Sequence, residues 1–178
     1  EKLAAASNRL KVGNGLEAGV QQGPLIDDKA VDKVEEFIQD ATSKGGKVVA
    51  GGKRHELGGS FFQPTVIADA EPEMMFMKEE IFGPLAPVFR FKTEEEAIRR
   101  ANDTQFGLAS YAYTGSLNRA FRVMEGLKYG MVGINEGLIT TVEAPFGGVK
   151  ESGLGKEGGH QGIEDYLDTK YVCIGGLK

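Results

Sequence analysis

The 178-residue sequence contains one cysteine, no tryptophan and two histidines. Cys173 has no partner for an internal disulfide, so nothing indicates a secreted, disulfide-stabilised fold. We expect a reducing compartment, the cytoplasm in the first place, while a mitochondrial location stays open. His55 and His160 are far apart in the sequence and have no companions at ligand spacing. The sequence therefore predicts no metal site.

Long apolar runs and clusters of basic residues are also missing. Without about 18 consecutive apolar residues or a charged-then-apolar leader, the segment is predicted to contain no membrane span and no signal peptide. The net charge is −5, whereas a nucleic-acid surface requires concentrated Lys and Arg. We therefore expect no nucleic acid partner and no membrane partner. The 40% apolar content is typical of a globular domain.

Helix and strand signals alternate along the chain. Apolar residues at three-and-four spacing predict a long helix that begins near Asp27 or Asp28 and stops at Gly45-Gly46. Thr93 and Ser116 are predicted to cap two later helices. Extended patterns predict strands at 47–50, 61–67, 85–91, 109–113 and 130–135. Such alternation is typical of βαβ units, so we predict an α/β fold: a three-layer sheet of mainly parallel strands with covering helices.

The two ends of the sequence carry further signals. Glu1 opens a helical pattern with no capping residue before it, which indicates a chain cut from a longer one. A glycine-rich stretch from Glu136 to Gly162 is long enough to indicate a functional loop. The extended apolar segment from Tyr166 to Ile174 predicts a terminal strand that pairs with another chain.

Two short motifs can be interpreted from their local sequence alone. The segment 153–158 matches G-x-G-x-x-G, but no strand precedes it and Gly159 interrupts any helix after it, so we reject a dinucleotide-phosphate loop. The segment Lys78-Glu79-Glu80-Ile81-Phe82-Gly83-Pro84 fits a solvated acidic turn with a core aromatic on composition alone.

Family resemblance changes the interpretation of that second segment. Together with Pro145-Phe146-Gly147-Gly148-Val149-Lys150, Ser152-Gly153 and Gly155, it resembles the aldehyde dehydrogenase superfamily, and the resemblance runs from about Glu1 to Leu177. The stretches 135–139 and 166–177 resemble the C-terminal portion of the succinate-semialdehyde dehydrogenase branch. The resemblance implies a catalytic-domain fold of aldehyde dehydrogenase type, with residues 1–162 as part of that domain and 163–178 as a C-terminal oligomerisation strand.

The resemblance also implies roles for individual residues. Glu80 would accept hydrogen bonds from the ribose hydroxyls of NAD or NADP, and Phe82 would pack near the nicotinamide. Phe146 would line the aldehyde tunnel, or simply anchor the long loop. Thr140 stands where the branch commonly has a serine that helps to hold the distal carboxylate. Glu157 would relay protons during thioester hydrolysis, although a surface acid explains it equally well.

The expected reaction belongs to the full-length parent. The resemblance implies oxidation of succinate semialdehyde to succinate, with a cysteine nucleophile, a hydride transfer to the nicotinamide cofactor and a homo-oligomer, dimer or tetramer, assembled through the C-terminal strand. The nucleophile lies before Glu1 in relatives, and Cys173 is expected to be inert packing. We therefore expect this chain alone to be inactive. Another aldehyde dehydrogenase branch, or a non-catalytic assembly module, remains as an alternative.

Overall fold

The computed structural model describes residues 1–177 and divides into two compact units, Glu1–Phe91 and a second that begins at Lys92. Helix α2 is the longest element of the first unit. It begins where predicted, because the Asp27 side chain accepts a hydrogen bond from the Ala30 amide at 2.9 Å and so caps the first turn. The elements of this unit are α1 (Lys2–Ser7), α2 (Asp28–Ser43), β1 (Lys47–Ala50), β2 (Thr65–Ala68), a 3₁₀ turn (Met75–Met77) and β3 (Leu85–Pro87).

The first unit has a three-stranded sheet in the order β1-β2-β3. β2 pairs parallel to β3, with Thr65 opposite Leu85, but antiparallel to β1, with Lys47 opposite Ala68. The expectation of mainly parallel strands is wrong for β1. Residues 51–64 contain no helix that could carry the chain back to the other end of the sheet, so β2 returns alongside β1 in the opposite direction.

The buried apolar core lies in this first unit. The predicted stripe of α2 is confirmed, and Phe37 and Val34 have no exposed surface. Burial of such side chains contributes about 1.5–3 kcal/mol each, which explains why the helix is fixed against the sheet. The core cluster comprises Val31, Val34, Phe37, Ile38, Ala41, Phe62, Ile67, Ala70, Met74, Phe76 and Leu85.

The second unit contains one βαβ arrangement, as the alternating pattern predicted. β4 and β5 pair parallel, with Ala109 opposite Met131. Thr93 accepts a hydrogen bond from the Glu96 amide at 3.2 Å, and Ser116 accepts one from the Arg119 amide at 3.4 Å, so both predicted caps are confirmed. The elements are α3 (Glu94–Asn102), β4 (Ala109–Ala112), α4 (Leu117–Gly126), β5 (Met131–Ile134) and 3₁₀ turns at Lys150–Ser152 and Gln161–Tyr166.

Apolar side chains of the second unit remain open to solvent. Among its described residues none with an apolar side chain is buried, and Leu117 and Phe121 on α4 are 72% and 50% exposed. The expectation of one three-layer sheet is therefore corrected, because residues 1–177 form two separate sheets and the second lacks a closed core. A surface of this kind normally packs against more protein.

The expected C-terminal strand is not confirmed. Gln161–Tyr166 forms a 3₁₀ turn, and residues 167–177 contain no strand or helix. Tyr171 and Ile174 are 87% and 69% exposed. A strand exists only through hydrogen bonds to a neighbouring strand, and this segment has no such neighbour among the described residues. Its pairing with a second chain stays a prediction.

Candidate cofactor and substrate site

The loop Glu79–Gly83, here called the acidic loop, carries two of the expected site residues. Glu80 is exposed, and within residues 1–177 its carboxylate makes no hydrogen bond or ion pair. Phe82 is 82% exposed, which corrects the alternative that placed this ring in the core. An unpaired carboxylate and an open aromatic face thus lie two residues apart on one loop.

The acidic loop is tied to α2 through its first acid. The Lys33 ammonium lies 2.7 Å from the Glu79 carboxylate and 3.1 Å from that of Glu36, and 5.0 Å from the centre of the Phe37 ring. Hydrogen bonding to Glu79, and secondarily to Glu36, raises the pKa of Lys33 above its ordinary value. Because Glu79 satisfies the lysine, Glu80 is left free to accept hydrogen bonds from another molecule.

A close backbone approach fixes the other end of the acidic loop. A Cβ added to Gly83 would lie 2.4 Å from Cγ2 of Val34, so only glycine fits against this fully buried valine of α2. The preceding residue, Phe82, has φ of +44°, a left-handed conformation that non-glycine residues rarely adopt. Such local strain is commonly found at binding sites.

Three other expected residues lie together in the second unit. Phe146 and Glu157 form an antiparallel bridge with two backbone hydrogen bonds of 2.7 Å. Both line a cavity of about 610 Å³, and Phe146 also lines a smaller one of about 190 Å³ with Thr140. Phe146 therefore borders both cavities.

The polar groups near Phe146 differ in whether they already make hydrogen bonds within the chain. The Thr141 hydroxyl donates to the Glu143 carboxylate, which lowers the pKa of Glu143. The Thr140 hydroxyl is exposed and makes no hydrogen bond within the described chain. Glu157 is exposed as well, and its carboxylate makes no hydrogen bond or ion pair with residues 1–177. The relay role of Glu157 therefore remains a prediction.

The G-x-G-x-x-G segment is already occupied by the protein itself. The amide of Lys156 donates to the Asp165 carboxylate at 3.0 Å, and the Lys156 ammonium donates to the Gly148 carbonyl at 2.7 Å. A carboxylate thus holds an amide that a phosphate-binding loop would leave open. This geometry agrees with the rejection of a dinucleotide-phosphate loop.

Within residues 1–177, no three His, Cys, Asp or Glu side chains are grouped so that they could hold a metal ion. No helix of the described chain combines the length and apolarity that a bilayer span requires.

The family model described as "Aldehyde dehydrogenase family" matches residues 1–172. The chain belongs to the aldehyde dehydrogenase family. It is 63% identical to glutarate-semialdehyde dehydrogenase of Pseudomonas aeruginosa over 99% of this chain and 37% of that protein. A protein of Escherichia coli named succinate-semialdehyde dehydrogenase (NADP(+)) is 60% identical over 98% of this chain and 36% of its own length.

A solved aldehyde dehydrogenase structure has the same fold as this chain. Succinate-semialdehyde dehydrogenase from Burkholderia pseudomallei superposes with a TM-score of 0.93 at 59% identity, covering 97% of this chain and 36% of that one. The α/β fold of aldehyde dehydrogenases is therefore confirmed. The chain spans a little over a third of the length of these relatives.

Glu80 and Phe82 are the residues of the acidic loop that could hold a nicotinamide dinucleotide. Glu80 offers two unoccupied acceptor oxygens to ribose hydroxyls, which can both donate, and the open Phe82 ring offers a stacking face. A nicotinamide dinucleotide held by these residues would supply a hydride acceptor. The Lys33–Glu79 ion pair and the Gly83–Val34 approach were missed from the sequence, because both depend on how the loop lies on α2.

Proposed function

We propose that this chain is part of an NAD(P)-dependent aldehyde dehydrogenase that oxidises succinate semialdehyde to succinate. The observation that supports the proposal is the acidic loop, which is held against α2 and leaves Glu80 and Phe82 free to contact the nicotinamide end of a cofactor. Family membership supports the reaction class, and the relatives named above support a semialdehyde with a distal carboxylate. In the parent enzyme, Glu80 would bind the ribose of the cofactor and Phe146 would border the aldehyde path.

The choice of aldehyde rests on fewer groups. Thr140 provides a free hydroxyl beside the smaller cavity, and a hydroxyl can donate one hydrogen bond to a carboxylate. One relative is named for glutarate semialdehyde, which is one methylene longer. Because one methylene in a pocket changes specificity by only about 10–200-fold, the two substrates have to be compared directly.

We also propose that the chain is the C-terminal part of its parent, which uses a cysteine encoded upstream of Glu1. The resemblance of the stretch 166–177 to the end of this branch supports it. Sequencing the parent reading frame tests the assignment. A cysteine in a Gly-Gln-x-Cys context upstream supports it, while such a cysteine encoded downstream of Lys178 would contradict it.

A reducing compartment, cytoplasmic or mitochondrial, and a homo-oligomer complete the proposal. The exposed apolar segment 166–177 favours assembly through this end, by pairing with a strand of a second copy. The segment is also the observation that favours the second candidate, a non-catalytic assembly module.

The complete parent enzyme provides the test. Reduced cofactor should accumulate with succinate semialdehyde, and kcat/KM should exceed that for butanal, an uncharged aldehyde of equal carbon number, by about tenfold or more. Glutarate semialdehyde serves as the third arm. Preference for butanal would refute the carboxylate-bearing substrate, and absence of any aldehyde oxidation would favour the assembly module.

A further inference from the structure

Lys150 is held at the end of α3 in a conformation unusual for a lysine. Its φ is +56°, in the left-handed region that mainly glycine adopts. Its ammonium donates to the carbonyls of Asn102 at 3.1 Å and Thr104 at 3.0 Å. The carbonyls at the end of a helix lack intrahelical partners and carry partial negative charge. The lysine therefore satisfies and neutralises this end of α3.

Tyr129 supports the same ammonium group. Its ring centre lies 5.6 Å from Nζ of Lys150, a distance at which a cation is attracted to an aromatic face. Its hydroxyl donates to the carbonyl of Ala101 at 2.5 Å. Tyr129 and Lys150 together therefore bind three carbonyls in the final stretch of α3 and the turn after it.

The backbone around Lys150 is attached to the turn that follows α3. The Val149 amide donates to the Gly107 carbonyl at 3.0 Å and the Glu151 amide to the Gln105 carbonyl at 3.0 Å. The Gly107 amide donates to the Ser152 hydroxyl at 2.9 Å. This ladder explains how the left-handed conformation at Lys150 is maintained. The stretch 149–152 is thus fixed, only three residues beyond Phe146.

We propose that Lys150 is a positioning residue for Phe146, and this inference rests on the proposed function. Phe146 is paired with Glu157 on one side, and the chain that leaves it is fixed by the Lys150 ammonium on the other. Two separate attachments therefore fix the backbone at Phe146 and just after it, where Phe146 borders both cavities. Lys150 itself lines neither cavity, so it acts on the aldehyde through the position of Phe146.

The test uses the complete parent enzyme and the variant Lys150→Met, which keeps a long apolar side chain and removes the charged donor. Because displacement of a group that positions substrate is costly, kcat/KM for the aldehyde should fall about tenfold. The dissociation constant of the cofactor should stay within about twofold, because no cofactor contact is altered. Lys150→Arg, which retains charged donors, should restore roughly half of the loss. Lys128→Met, at an exposed neighbouring lysine, is the matched control and should match the wild type.

Unchanged aldehyde kinetics in Lys150→Met would overturn the inference, and so would an equal loss of aldehyde and cofactor binding, which a merely structural role predicts. If Lys150→Met is insoluble, Lys150→Gln replaces it in the test. Glutamine can donate to only one carbonyl at a time, so this variant should show a smaller loss of kcat/KM. Wild-type kinetics in Lys150→Gln would also overturn the inference. If the wild-type parent oxidises no aldehyde, the proposed function fails separately. Amide hydrogen exchange then still tests whether Lys150 fixes the backbone near Phe146. The amides of Phe146 and Val149 should exchange faster in Lys150→Met, and unaltered exchange would contradict the inference.

Discussion

Replacement of Gly83 by alanine tests how the acidic loop is held. The new Cβ would lie 2.4 Å from Cγ2 of Val34, whereas carbon atoms in contact are about 3.5–4.0 Å apart. One side must therefore move by more than about 1 Å. Val34 has no exposed surface and belongs to the α2 core, so the loop moves instead. We expect overpacking of this kind to destabilise the first unit by about 1–3 kcal/mol.

The same displacement should weaken cofactor binding. Glu80 and Phe82 lie within three residues of Gly83, and a displacement of about 1 Å in a binding group costs about tenfold or more. We therefore expect the dissociation constant of the cofactor, measured by titration calorimetry on the parent enzyme, to rise about tenfold in Gly83→Ala. Gly15→Ala is the control, because Cβ there meets nothing within 4 Å.

A second substitution separates displacement of the loop from general damage. Val34→Ala deletes the methyl group that the new Cβ would meet. The double variant Gly83→Ala/Val34→Ala should bind the cofactor more tightly than Gly83→Ala alone, since neighbouring substitutions of this kind couple by about 0.5–3 kcal/mol. Wild-type affinity in Gly83→Ala, or simple additivity in the double variant, would refute the argument.

Three further results are expected. Phe37→Ala, in the fully buried core, should lower the free energy of unfolding by about 3–5 kcal/mol, measured by urea denaturation, whereas Phe91→Ala, at a 62% exposed position, should change it by less than about 1 kcal/mol. Arg122, and secondarily Arg119, donate hydrogen bonds to Glu94 and lower its pKa from 4.5 to about 2. Because the pKa is lower in the folded state, the stability that this carboxylate contributes is present above about pH 4.5 and is lost as the pH falls toward 2. Glu94→Gln should therefore flatten that part of the curve of unfolding free energy against pH. Thr140→Val should raise the KM of the parent for succinate semialdehyde and leave that for butanal unchanged, and an equal rise for both would contradict carboxylate binding by the hydroxyl.

Helix starts were predictable because their signals are local. Asp27, Thr93 and Ser116 each accept a hydrogen bond from an amide three residues ahead, and this chemistry depends only on neighbours in the sequence. The antiparallel direction of β1 was not predicted, and the terminal strand stays a prediction. Both depend on which strand lies alongside, and extended patterns alone do not contain that information.

The candidate site divides in the same way. Motif resemblance alone proposed Glu80, Phe82, Phe146 and Thr140, whereas their burial and contacts became visible only in the folded structure. Nothing in the sequence marks Lys150 as left-handed, because lysine rarely adopts that conformation and the ladder that holds it joins segments more than 40 residues apart.

Cofactor affinity of the Glu80→Gln parent enzyme tests the central claim most directly. Glutamine keeps the size of the side chain but loses one acceptor oxygen and the negative charge, so the dissociation constant of the cofactor should rise about tenfold. Glu73→Gln, at an exposed acid seven residues earlier, is the control and should bind the cofactor as the wild type does. Undiminished affinity in Glu80→Gln would show that this carboxylate does not hold the ribose.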